Sequence, residues 1–211
     1  MTRPFYGLTI VLAAILLLLL GWWNLFAWSV IPIQAQDVWL SLTHFDSQSI
    51  SHRIVQDLRL PRLLTAMFVG ACLATAGTIM QGLTRNPLAA PSVLGINAGA
   101  ALGMALVSTL PILYGALSTS LAAMIGGGVA WLLVMLLGSS WRIGGNEHGR
   151  LVLAGVAISA LCAALTKAVV IMEEDQAAGV LTWLTGSLAD ARWQTWQHYW
   201  PFALVGLFGA L

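Results

Sequence analysis

Two arginines, Arg59 and Arg62, flank Pro61 in the segment LRLPRL, Leu58 to Leu63. A proline suits the first turn of a helix, where its missing N–H costs nothing. Paired guanidiniums there can grip acidic groups on an external partner, or they can simply snorkel at a membrane surface. A second polar cluster, QGLTRNPLAAPSVLGINAGAA, runs from Gln81 to Ala101 and is punctuated by Pro87 and Pro91. Its Asn86 and Ser92 either cap a turn and the helix that follows or place polar groups at membrane depth for a functional reason.

Other chemistries lack their residues. No GxxxxGK[ST] is present, so the chain is not expected to bind ATP itself. No pair of carboxylates falls inside an apolar stretch, which counts against a proton-coupled carrier. His44, His52, His148 and His198 show no ligand spacing, so neither a metal site nor any other cofactor is expected. Cys72 and Cys162 lie in apolar stretches and read as small packing residues. A net charge of +1 gives no sign of a nucleic-acid surface.

The elements that must position these groups are set by a bilayer. From Asn86 to Trp141 there is no Asp, Glu, Lys, Arg or His. A soluble domain cannot carry such a run, because its helices must show water a polar face. The chain is 59% hydrophobic and 8% charged, with a mean hydropathy of +0.85. Crossing the hydrocarbon takes about 20 apolar residues, and five stretches qualify: 8–30, 63–83, 93–111, 117–138 and 151–171. A break at Pro111 to Gly115 separates the third from the fourth. The fold expected is an all-α, polytopic transmembrane bundle forming one permease domain over 1–211. A sixth element starts near Trp200, so the sequence reads as the N-terminal part of a larger bundle or as a truncated product. The first stretch is too long for a signal-peptide core of about 7–15 residues and reads as a retained span.

The links differ. Residues 31–62 form a polar external link, 84–92 a tight turn, and 139–150 a glycine-rich link with Arg142, Glu147 and Arg150. Residues 172–199 open with Glu173, Glu174 and Asp175 and contain an apolar patch, Val180 to Leu184, that suits an interfacial helix. With the N-terminus inside, Arg3, Arg85, Arg142 and Arg150 lie inside, and Arg53, Arg59, Arg62 and Arg192 outside. The inner links are shorter, so their basic density is higher, which favours a cytoplasmic N-terminus. Trp22, Trp23, Trp28, Trp193, Trp196 and Trp200 fall near span ends, as interfacial anchors do. Small residues repeat every four positions at Gly95/Gly99/Gly103, Ala66/Gly70/Ala74 and Gly155/Ser159/Ala163, a spacing that lets helix backbones approach.

RLPR, a glycine-rich span ending in Gln81, and RNPLAAPSVLGINAGA together resemble the permease family of ABC importers for iron chelates and cobalamin. The likeness continues through GGGVAWLLVM (126–135), LVLAGVAISALCAAL (151–165) and WLTGSLADARW (183–193). Within the family, the ferric-citrate permease subunits are the most similar. The resemblance implies about ten helices per subunit and two permease subunits, the second a different chain. It also implies cytoplasmic ATP-binding subunits, a periplasmic substrate-binding protein and residence in a bacterial inner membrane, surrounded by lipid. By the same resemblance Arg59 and Arg62 would meet acidic residues of the binding protein. Asn86 and Leu88 would sit at a cytoplasmic constriction, and the helix near Ser159 and Thr166 would line the path. Those two hydroxyls have an alternative in bonding to their own backbone. The loop that docks the ATPase in this family falls beyond Leu211. A secondary transporter or channel, and a non-transporting scaffold, are the rival readings.

Overall fold

In a bilayer core the backbone finds no water, so each segment must close its own hydrogen bonds. The computed structural model describes residues 3–110, 117–138, 147–172 and 174–209, and all regular elements among them are helical. The Pro111 to Gly115 break and Arg142 lie outside the described residues. Four helices are long and apolar enough to cross a membrane, within Gly7–Phe26, Ile50–Gly82, Thr119–Gly138 and Gly149–Met172, and a shorter apolar helix covers Ile96–Thr109. The chain divides into two compact units, Met1–Leu73 with Leu188–Leu211, and Ala74–Ser187.

The first unit holds α1 (Arg3–Phe26), α2 (Ala35–Thr43), α3 (Ile50–Ile54), most of α4 (Leu60–Thr84) and α9 (Trp193–Phe208). α1 stops short of the expected residue 30, and Trp28 just beyond it has a left-handed φ of 58°. A π-helical turn, Val55–Arg59, joins α3 to α4 without a break. The helical run Ile50–Gly82 has 33 residues, or about 50 Å at 1.5 Å per residue, well beyond a core of about 30 Å. Much of the expected polar link at 31–62 is therefore helix, comprising α2 and the head of this rod. Leu25, Ile33, Val38 and Val55 make its buried core, so α2 closes over the end of α1 and the π turn.

The second unit contains the end of α4, then α5 (Ile96–Thr109), α6 (Thr119–Gly138), α7 (Glu147–Met172) and α8 (Glu174–Thr185). The stretch expected as a span at 93–111 is interrupted. Pro91–Leu94 forms a 3₁₀ turn, Gly95 is left-handed at φ 73°, and α5 proper has 14 residues, about 21 Å. Proline at the head of the turn and glycine at its exit account for the break. α7 covers this irregular backbone, because Gly155 has no side chain and lets the Val93 carbonyl sit against it. α8 includes the apolar patch at Val180 to Leu184 and buries Val180 beside Met104, Ala105 and Ala123.

The small-residue stripes divide. Gly99 and Gly103 face Gly126 and Ala122 of α6 so closely that a Cβ on either glycine would overlap backbone. Gly155 and Ser159 meet Val93 and Gly95. At Gly70, by contrast, an added Cβ would meet nothing within 4 Å, so the α4 stripe has no helix against it there.

Candidate functional site

At the head of the rod, Pro61 is fully buried. The Leu60 N–H bonds to the Val55 carbonyl, five residues back. In that register the Gln56 carbonyl should receive the N–H of residue 61, and proline has none. The indole Nε1–H of Trp193 supplies the missing donor, at 2.7 Å. The Gln56 side chain in turn donates from Nε2 to the Ser41 carbonyl of α2, at 2.8 Å. Sequence reading placed Trp193 among the membrane-surface anchors; the structure gives its N–H a backbone acceptor. The signal that could have pointed to it is Pro61 itself, inside a helix with a carbonyl left over.

Both arginines of the pair are held by carbonyls. Arg59 Nη1 donates to the carbonyls of Asn24, at 2.7 Å, and Ala27, at 2.8 Å. These groups end α1, where carbonyl oxygens lack intrahelical partners and the helix dipole favours a cation. Arg62 Nη2 donates to the Ala189 carbonyl in the loop before α9, and its Nε is buried without a hydrogen-bond partner. The pair therefore ties two chain segments to the rod through part of its ten N–H donors.

The second cluster begins where α4 ends. Asn86 N–H bonds to the Gln81 carbonyl and Arg85 N–H to that of Gly82, with Arg85 left-handed at φ 48°. This is the paired closure of a Schellman cap, with arginine where glycine is usual. Asn86 Oδ1 then accepts the Leu88 N–H at 3.0 Å, and this side-chain turn leaves Leu88 89% exposed. Ser159 is half-buried next to Gly95. Thr166 is buried and returns its hydroxyl to the Cys162 carbonyl at 2.8 Å. The two arginines thus share the rod head, Asn86 and Leu88 share one turn, and Ser159 and Thr166 lie on α7. Among the described residues no group of three or more His, Cys, Asp or Glu could hold a metal.

Apolar helices of spanning length, with polar chemistry gathered at helix ends and turns, define a multi-pass membrane protein. The chain belongs to the FecCD transport family, whose pattern matches residues 15–211. This is a family of transport permease subunits, not of enzymes. The Fe(3+) dicitrate transport system permease protein FecC of Escherichia coli is 46% identical over 183 residues, 86% of this chain and 55% of that protein. The iron(3+)-hydroxamate import system permease protein FhuB of Bacillus subtilis is 36% identical over 98% of this chain and 53% of its own length. The hemin transport system permease protein HmuU of Yersinia pestis is 42% identical over 66% of this chain. The chain spans about half the length of the curated relatives it matches. Among solved structures, an inward-facing metal-chelate type ABC transporter aligns with a TM-score of 0.73 and 25% identity, covering 93% of this chain and 59% of that one.

Proposed function

We propose that this chain serves in the membrane path of an ATP-driven importer for an iron(III) chelate, with ferric citrate as the cargo. The observation that carries the reading is the 46% identity to the dicitrate permease across most of the chain, above the hydroxamate relative's 36%. ATP is hydrolysed by separate cytoplasmic subunits, a second, different permease chain completes the path, and a periplasmic protein delivers the chelate. The chain resides in the bacterial inner membrane with its N-terminus in the cytoplasm, and alternating access moves the cargo.

In this reading the donors of Arg59 and Arg62 not used on carbonyls face acidic groups of the binding protein. Asn86 and Leu88 form the cytoplasmic constriction. Thr166, buried on α7, reaches the path only when the groups packed over it move apart. The test is uptake of radio-iron citrate by cells lacking the gene and complemented with it beside the proposed partners. Restored citrate uptake supports the assignment. Restoration of hydroxamate or hemin iron alone would replace citrate, and uptake that persists without ATP would make the protein a secondary transporter or channel. Arg62→Glu is expected to cut uptake about tenfold or more at equal protein level, as loss of a charged docking contact should.

A further inference from the structure

Arg62 also forms the polar end of a cavity of about 400 Å³ in the first unit. Leu17, Leu20, Leu63, Ala66 and Met67 make its walls, and Asn24 stands at the same end as the arginine. Leu17 and Leu20 are more than half exposed, so the cavity opens along the outer side of α1, the side a bilayer covers. Its polar end lies at interfacial depth, because Trp22 and Trp23 occupy the same turn of α1 as Asn24. From there to Leu17 the apolar wall runs about 10 Å along the helix axis.

The charge at that end is incompletely matched. One carbonyl accepts from Nη2, Nε has no acceptor, and no carboxylate pairs with Arg62 among the described residues. Arg59, one turn away, adds a second cation whose Nη1 meets only carbonyls. A ligand complementary to this site carries an anion at headgroup depth and a hydrocarbon chain beneath it. We infer that the cavity holds one anionic glycerophospholipid, its acyl chain against Leu17, Leu20 and Met67 and its phosphate on Arg62. The guanidinium turns its unused N–H groups to the phosphate oxygens, a planar set of donors that suits phosphate better than the single ammonium of lysine. Bound there, the lipid fastens α1 to α4 at the level of the Arg59 contact. The inference goes beyond the importer reading, is independent of the cargo, and gives the spare donors of Arg62 to phosphate while no binding protein is docked on them.

Native mass spectrometry of the purified chain, from mixed micelles with equal phosphatidylglycerol and phosphatidylcholine, tests it. The unsubstituted chain should retain one phosphatidylglycerol about fivefold to tenfold in preference to phosphatidylcholine, as about 1 kcal/mol or more per basic contact implies. Arg62→Gln should abolish that preference, and Arg62→Lys should keep part of it. Ala66→Phe should fill the cavity and lose the adduct with every charge in place. Equal retention of both lipids, retention unchanged in Ala66→Phe, or a lipid-free dimer in which a second copy fills the groove would each overturn the assignment. Should Arg62→Gln fail to fold, Arg62→Lys and Ala66→Phe decide the question by themselves.

Discussion

Pro61 removes one N–H from a helix that otherwise runs from Ile50 to Thr84, and its neighbours compensate. The π turn moves the Leu60 N–H to Val55, Gln56 is left with an open carbonyl, and Trp193 closes it. An apolar setting makes such a carbonyl costly to leave open, about 1–3 kcal/mol. Trp193→Phe keeps an aromatic ring but removes the donor and part of the ring volume, so it should lower stability by at least about that amount in thermal unfolding in nanodiscs. Pro61→Ala returns an N–H to the helix and should reduce the penalty of Trp193→Phe by about 1 kcal/mol in a double-mutant cycle. Additive effects would show that the indole and the proline are unrelated. From sequence, the Arg-Pro-Arg grouping was legible as a special place, because charge and proline are rare within apolar runs. What the arginines and Trp193 bond to was not, since backbone carbonyls are present at every residue and leave no mark in composition.

The element scale shows the same division between a readable pattern and an unreadable partner. The run of apolar residues marked 93–111 as one stretch, yet Pro91 and Gly95 shorten the α-helix to Ile96–Thr109. Periodicity gives the apolar face, whereas the αL residue at Gly95 depends on α7 shielding the 3₁₀ turn. The three consecutive glycines, Gly126 to Gly128, sharpen the point. Their sequence context is uniform, but a Cβ at Gly126 would overlap the Gly99 carbonyl, one at Gly127 would press on Ile96, and one at Gly128 would meet nothing within 4 Å. Gly126→Leu should therefore force α5 and α6 apart and cost about 3 kcal/mol. Gly128→Leu should be neutral or slightly stabilising, because leucine is the better helix former. Parallel melting curves of the two variants check this, and equal losses would mean that α5 and α6 do not meet at Gly126.

For the whole molecule, the remaining question is which way the bundle faces. Lys167 aside, which lies within an apolar stretch, the basic residues divide four against four under either orientation, so the preference for a cytoplasmic N-terminus rests on the shorter links on that side. The structure alters the weight of two of them. Arg59 and Arg62 lie within the helical rod and donate to carbonyls, so their position is set by packing as well as by charge. If the helices cross in alternation from a cytoplasmic N-terminus, the loop around Ser47 faces outward and the turn at Pro87 faces inward. Both positions are exposed, and Cys72 and Cys162 are free thiols that can be replaced by alanine to clear the background. Ser47→Cys should then react with a membrane-impermeant maleimide on intact spheroplasts, and Pro87→Cys only after permeabilisation. The reverse pattern would invert the orientation and move Arg59 and Arg62 to the cytoplasmic side, out of reach of a periplasmic partner. Labelling of both sites from outside would mean that Ile50–Gly82 does not cross the membrane, despite its length of 33 residues.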